Sequence, residues 1–254
     1  MNDVMLLDLA FDLARDAGTE ILRVRARGFE TLRKADQSPV TEADTAAEAL
    51  ILAGLRSATP DIPVVAEEAT AAGAKPALGR QYWLVDPLDG TREFAAATDD
   101  FAVCIGLIRD GRPVLGCVGA PVAGAVFGGI VGLGAWRHDA TGRHPISARQ
   151  PPRNGMDVMA SRHYADDPRL APFLAGRAIA SVTHMGSALK FCRLAEGLAD
   201  LYPRFGRTME WDTAGPQALL EAAGGTLHVM ATGEMLRYGK PGWENDGFVA
   251  TGRP

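Results

Sequence analysis

Between Pro113 and Trp136 the chain carries no charged side chain over 24 residues. A run that long and apolar has two homes, a bilayer or the interior of a sheet covered on both faces. Seven glycines and two prolines lie inside it. In a helix interior each would cost about 1 kcal/mol for Gly and about 3 kcal/mol for Pro relative to Ala. Asp110-Gly111, just upstream, is a hairpin-type turn signal. The run then divides into short apolar pieces, RPVLGCVGAP and GAVFGGIVGLGAW. These features predict a meander of buried strands, about four of them over residues 101–137, and no integral membrane segment.

The rest of the composition fits a globular protein. Over 254 residues, 47% are hydrophobic and 22% charged, which suits one large domain or two of roughly 100–150 residues. The net charge of −5 argues against a protein that coats a nucleic acid polymer or an anionic lipid surface. It leaves a small anionic substrate open, because that depends on local charge. Cys104, Cys117 and Cys192 are odd in number and widely spaced, with no C-x-x-C, so reduced, buried thiols are expected rather than zinc ligands or disulfides. His138, His144, His163, His184 and His228 show no H-x-x-x-H pair and are expected at the surface or in the core. Asp3, Asp8 and Asp12 interrupt the N-terminal apolar residues, and no basic segment precedes them, so no signal peptide is expected. A cytoplasmic location follows as the expectation, with peripheral inner-membrane association left open.

Residues 4–26 carry an amphipathic helical period through Leu7, Ala10, Phe11, Ala14, Ile21 and Leu22. A polar loop is expected over 27–40. Thr41 with Asp44 then forms a capping-box start to a second helix, which Pro60 stops. The segments at 62–68 and 82–86 read as buried strands that end in acids. GRHPISARQPPRNG changes character and marks a domain boundary near residue 150. Beyond it, strands are expected at MDVMASR, near 178–182 and at 200–205. Helices are expected at DPRLAPFL, at 186–197 and at DTAGPQALLEAAG, and short strands at the C-terminus. The second half is therefore α/β. The division is an N-terminal α+β domain, 1–150, with the meander and most of the carboxylates, and a C-terminal α/β domain, 151–254.

The segment richest in chemistry is Trp83-Leu84-Val85-Asp86-Pro87-Leu88-Asp89-Gly90-Thr91. An apolar strand runs into two carboxylates, and Pro87 stiffens the turn between them. Both carboxylates and the Leu88 carbonyl can point one way, which suits a hard cation. The amides of Gly90 and Thr91 would face the same space at the start of a short helix, where a phosphate is favoured. Glu67 and Glu68 end the preceding strand. Two carboxylates ~4 Å apart repel by about 4 kcal/mol at an effective dielectric near 20. Three or four such groups must take up protons or cations. Oxygen donors without His or Cys select Mg²⁺ over Zn²⁺, and several metals beside an anion-binding turn is an arrangement for phosphoryl transfer.

Two mechanisms use acids in such a turn. Haloacid-dehalogenase phosphatases place one residue between their aspartates and use the first as nucleophile. Here two residues intervene, a Glu-Glu pair comes about 20 residues earlier, and Glu210-Trp211-Asp212-Thr213-Ala214-Gly215 follows. This set resembles the inositol-monophosphatase superfamily, with its E-E, D-P-[LI]-D-G-T and W-D elements in order. Lys34-Ala35-Asp36-Gln37-Ser38-Pro39-Val40-Thr41-Glu42-Ala43-Asp44 resembles the family's early K-x-D-x-S-P-V-T-x-A-D segment. T-R-E-F at 91–94 and GSALKFCRLAEGLADLYPRF at 186–205 resemble one branch, the bacterial 3'(2'),5'-bisphosphate nucleotidases.

The resemblance implies a layered αβαβα sandwich of the sugar-phosphatase type and a small phosphorylated nucleotide as partner. It leaves a homodimer open. It implies two or three Mg²⁺ ions held by Glu67, Asp86, the Leu88 carbonyl, Asp89 and Asp212, with Glu67 rather than Glu68 as the ligand. Gly90 and Thr91, with Leu88, Asp89 and Asp212, would meet the scissile phosphate. Thr91, with Glu67 or Asp44, would orient the attacking water, and Asp44 would be a supporting group or a ligand of an extra metal. Ser187, Lys190 and Arg204 would bind the rest of the substrate, the two cations suiting a second phosphate. Tyr202 and His184 could approach an adenine. The expected reaction is removal of the 3'-phosphate of adenosine 3',5'-bisphosphate, or of its sulfated form, by in-line attack of metal-activated water. Inositol phosphate or fructose 1,6-bisphosphate is the alternative within the superfamily. Outside it stand an aspartate-nucleophile phosphatase and a non-catalytic metal-binding regulator. Acid-quenched turnover followed by peptide mass spectrometry should show no phosphoaspartate on Asp86; finding one would replace direct water attack with the dehalogenase route.

Overall fold

Asn2 opens the first helix, α1 (Asp3–Arg27), by accepting the Met5 amide at 2.9 Å. The Leu7, Ala10, Phe11, Ala14 and Ile21 stripe of α1 is buried. The computed structural model describes residues 1–34 and 37–254, so Ala35 and Asp36 of the early motif lie outside the described residues. The segment expected as loop contains a small antiparallel pair, β1 (Thr31–Arg33) with β2 (Pro39–Thr41). Three-residue strands carry too little periodicity to be read from sequence. Thr41 then caps α2 (Glu42–Ala58) through a capping box with Asp44.

The next strand, β3 (Val64–Ala66), is shorter than expected, because Glu67 opens a turn of helix, α3 (Glu67–Ala71), instead of ending the strand. Glu48 of α2 decides this. Its carboxylate accepts the Glu68 and Ala69 amides, each at 2.8 Å, and so satisfies first-turn donors that a helix leaves without partners.

β4 (Gln81–Asp89) also differs, running past Asp86 to Asp89 before α4 (Thr91–Ala95). β5 (Ala102–Arg109), β6 (Arg112–Ala120), β7 (Ala125–Ile130) and β8 (Gly134–Asp139) are the meander expected over 101–137, and β9 (Gly142–Ile146) extends it. These strands form a seven-stranded sheet in the order β3-β4-β5-β6-β7-β8-β9, parallel at β3–β4 and antiparallel elsewhere.

The second half contributes β10 (Met156–Ser161), α5 (Leu170–Leu174), β11 (Ile179–Met185), α6 (Leu189–Ala195), β12 (Leu201–Arg204) and β13 (Thr208–Met209). It continues with α7 (Trp211–Ala222), β14 (Thr226–Val229), β15 (Glu244–Asn245) and β16 (Phe248–Thr251). Its five-stranded sheet has the order β11-β10-β12-β16-β14, and β13 pairs with β15 alone. Among the described residues no helix is long and apolar enough to cross a membrane.

Both faces of the seven-stranded sheet are covered, which is why its central strands read as continuous apolar runs. Trp83, Val85, Val103 and Ile105 point into a core shared with α1 and α2, whereas Leu84, Cys104, Val118 and Phe127 point into a second core shared with α6 and α7. Helices α6 and α7 therefore lie between the two sheets, as the layered sandwich requires. The polar segment 147–155 connects the sheets, and we propose it as the divide between an N-terminal and a C-terminal domain. Arg149 on that segment clasps buried Asp200 through two bonds of 2.8 Å and reaches Asp157 at 2.6 Å.

The glycines of the meander have a specific partner. A Cβ on Gly106 would stand 2.5 Å from the Gly215 nitrogen, and one on Gly116 would stand 2.6 Å from the Gly215 Cα. A Cβ on Gly215 itself would stand 2.6 Å from the Ile105 carbonyl and 2.7 Å from the Cys117 carbonyl, and one on Gly129 would meet Ala222 at 2.4 Å. Helix α7 is thus seated backbone to backbone on the sheet. Gly215→Ala should destabilise the protein by about 1–3 kcal/mol, the usual range for overpacking, read as a lower urea midpoint; an unchanged midpoint would contradict this seating.

Candidate active site

In a regular strand, residues three apart face opposite sides of the sheet. Asp86 and Asp89 escape this because the β4–β5 register shifts between them: Asp86 pairs with Cys104 and Asp89 with Ala102. Three steps on β4 match two on β5, a bulge that turns both carboxylates into one cleft. Pro87 has no amide to strand there, and Asp86 Oδ1 accepts the Leu88 amide at 2.9 Å. The bulge is therefore held by one of the acids it positions. Asp212 arrives in the first turn of α7, where its Oδ2 accepts the Met209 amide at 2.8 Å. Glu67 arrives as the first residue of α3.

The structure brings Glu67, Asp86 and Asp212 together, with one carboxylate oxygen from each inside 4.8 Å of the others. Asp89 is outside that triad and accepts the Ala188 amide. Burial pushes the Asp86 carboxyl well above the usual range, and repulsion by Glu67, Asp89 and Asp212 adds to it. Asp212 is pushed up by burial and then by Asp89 and Glu67. Asp89 rises to about 6 through burial, with Lys190 opposing. Oxygen-only donors whose charges resist one another fit a hard divalent cation such as Mg²⁺.

Lys34 is a site residue for which sequence reasoning gave no role. Its Nζ lies 2.6 Å from both Glu67 and Glu68. Burial disfavours its charge, but the two glutamates hold its pKa above the ordinary lysine range. Glu68 rises to about 7, chiefly by burial.

Thr91 Oγ1 is 2.9 Å from Asp44 Oδ1 and 3.1 Å from the Leu88 carbonyl oxygen. The other Asp44 oxygen accepts the Thr41 amide at 2.8 Å and the Thr41 hydroxyl at 2.7 Å. Burial raises the Asp44 pKa against these bonds. Gly90 takes a left-handed φ of +96°, and a Cβ on it would stand 2.8 Å from the Asp100 carbonyl. Only glycine fits that turn.

The expected substrate residues Ser187, Lys190 and Arg204 line the same cleft, which encloses about 590 Å³. Ser187 is left-handed, with a φ of +50°. Lys190 is buried, donates from Nζ to the Met185 carbonyl at 3.1 Å and to the Ser187 carbonyl, and is lowered by burial to about 8. The Arg204 guanidinium lies 4.6 Å over the Tyr164 ring, and its Nε is buried with no hydrogen-bond partner among the described residues. Tyr202 lines the cleft but is packed into the core, whereas His184 is exposed on β11, away from the cleft lining. Arg92 and His163, in contact with each other, also line the cleft; Arg92 lies in the T-R-E-F segment, which gave it no role of its own, and no sequence signal singled out His163.

A model of the inositol monophosphatase family matches residues 3–251. The chain belongs to the inositol monophosphatase family. It is 44% identical over 251 residues to the 3'(2'),5'-bisphosphate nucleotidase CysQ of Salmonella typhimurium, covering 97% of this chain and 99% of that protein. With the Escherichia coli protein of the same name it is 43% identical over 227 residues, covering 88% and 90%. Among solved structures, CysQ from Bacteroides thetaiotaomicron superposes with a TM-score of 0.81 at 30% identity, covering 98% of each chain. An inositol monophosphatase from Anabaena superposes at 0.78 with 28% identity, covering 100% of this chain and 92% of the other. The layered α+β sandwich is the fold of this family.

Asp89 retains its proton to about pH 6 in the fold, against about 3.9 in an unfolded chain. Between those values folding takes up a proton, so the metal-free protein loses stability as pH rises through that window. Metal-stripped Asp89→Asn should therefore be more stable than the parent at pH 8, by about 2 kcal/mol, with the advantage gone near pH 4. Thermal melts at both pH values after chelation check this; an equal advantage at both would refute it.

Proposed function

We propose that the chain is a Mg²⁺-dependent 3'(2'),5'-bisphosphate nucleotidase that removes the 3'-phosphate of adenosine 3',5'-bisphosphate, with 3'-phosphoadenylyl sulfate as a second substrate. The observation that carries this reading is a carboxylate triad sharing one cleft with Lys190 and Arg204, in a chain 44% identical along 97% of its length to a curated nucleotidase.

Glu67, Asp86, the Leu88 carbonyl, Asp89 and Asp212 would hold two or three ions. Bound there, Mg²⁺ supplies Lewis acidity, drawing charge from the phosphoryl group and the leaving oxygen and acidifying water. The chain's own residues do the positioning. The Thr91 hydroxyl donates a hydrogen bond to Asp44 and keeps an acceptor for a water, which Glu67 would help to orient. The amides at Gly90 and Thr91 face the phosphoryl oxygens, since the first amides of a helix have no intrahelical acceptor. Lys190 and Arg204 neutralise the second phosphate, with Ser187 beside them. The three buried free thiols support a cytoplasmic location.

In a phosphate-release assay with Mg²⁺ at matched substrate concentration, adenosine 3',5'-bisphosphate should be hydrolysed well ahead of inositol 1-phosphate, and Li⁺ should inhibit. The reverse preference would overturn the substrate and leave the family untouched. Thr91→Ala should lower kcat by about 100-fold or more, with Thr91→Ser retaining most of the rate.

A further inference from the structure

The cleft is lined by several aromatic side chains, and most are already engaged. Phe191, Tyr202 and Phe248 pack on one another with centroids 5.3–5.8 Å apart, and Trp211 is buried. Tyr164 carries the Arg204 guanidinium over its ring and meets His163 edge-on at 4.8 Å. Trp243 differs. It is half-buried, packs against the core shared with α6 and α7, lines the cleft and meets Tyr82 in an edge arrangement at 6.3 Å. Among the described residues no ring or cationic side chain is stacked on its face.

The backbone holds this ring in place at some cost. Trp243 has a φ of +63°, following Gly242 at +81°, a conformation that bulky L-residues rarely adopt. Glu210, next to the Trp211-Asp212 pair, enforces it. The Glu210 amide donates to the Trp243 carbonyl at 2.8 Å. The fully buried Glu210 carboxylate accepts the Gly239 and Lys240 amides at 2.8 and 2.9 Å and pairs with Lys240 Nζ at 2.8 Å. Strand β15, immediately after Trp243, pairs with β13, whose Met209 amide fixes Asp212. The indole is thus set at a defined place relative to the triad.

We propose that Trp243 is the nucleobase platform of the cleft, stacking the purine of a bisphosphate nucleotide while Lys190 and Arg204, which line the same cleft, hold its second phosphate. This rests on the nucleotidase reading. A purine has a π-face for an indole to stack on, and an inositol ring has none, so the residue discriminates between the two substrate classes.

The test uses the Mg²⁺-loaded full chain and its Trp243→Leu and Trp243→Phe variants. Readouts are KM and kcat for adenosine 3',5'-bisphosphate and the inhibition constants of adenosine 5'-phosphate and of ribose 5-phosphate, which lacks the base. Trp243→Leu should raise KM and the adenosine 5'-phosphate constant by about tenfold, with kcat and the ribose 5-phosphate constant moving less than twofold, and Trp243→Phe should recover most of the loss. Unchanged nucleotide constants, or parallel loss for both inhibitors, would overturn the platform while leaving the nucleotidase reading intact. Failure of the unaltered protein to turn over the nucleotide would take both down.

Discussion

Everything at the site depends on how closely α7 can approach the seven-stranded sheet. Asp212 lies at the N-terminal end of that helix, and Asp86 lies on the sheet beneath it. Ordinary side chains at Gly106, Gly116 and Gly215 would force the two backbones apart, since the Cβ of each would stand within 2.6 Å of a backbone atom on the opposing element. The triad requires oxygens from both elements within 4.8 Å. A helix displaced by even one methyl layer would leave Asp212 out of reach of a cation shared with Asp86. Packing and chemistry are here one constraint, written into the sequence as glycines on two apolar strands and on the helix that crosses them.

The second constraint is charge. Acids buried among acids destabilise the metal-free fold, and the protein partly offsets this with Lys34, set between Glu67 and Glu68. Setting Glu67, Asp86, Asp89 and Asp212 aside leaves 27 acids against 26 bases, near neutrality. The excess negative charge of the chain is therefore concentrated at the site. Once cations are bound, the cleft should draw anions, so the acidic total says little about the substrate.

The sequence was most readable where a period or a turn signal was long. The meander, the first two helices and the capping box at Thr41 follow from apolar spacing and cap chemistry alone. The motif acids were readable as a group because three elements occur in order. What could not be read rests on contacts distant in sequence. The helical turn at Glu67 needs Glu48, and the bulge that aligns Asp86 with Asp89 shows only in the pairing with β5. The engagement of Lys190 with two carbonyls depends on the left-handed Ser187. Arg92, His163 and Trp243 reach the cleft from three separate elements; Arg92 sits inside the T-R-E-F motif, but no local pattern marks His163 or Trp243.

Asp44 shows why a structural and a catalytic reading of one residue need not compete. As the N3 acid of a capping box it would be expected only to support the start of α2. One of its oxygens does so, accepting both the amide and the hydroxyl of Thr41. That leaves the second oxygen facing Thr91, and the cap bonds fix its direction. Because the carboxylate is buried, its remaining lone pairs must be satisfied by protein donors, and Thr91 is the donor present. The same bond polarises the hydroxyl that faces the cleft. The cap therefore orients the group that, in the proposed reaction, orients the water, and replacing Asp44 would loosen the helix start and the Thr91 hydroxyl together.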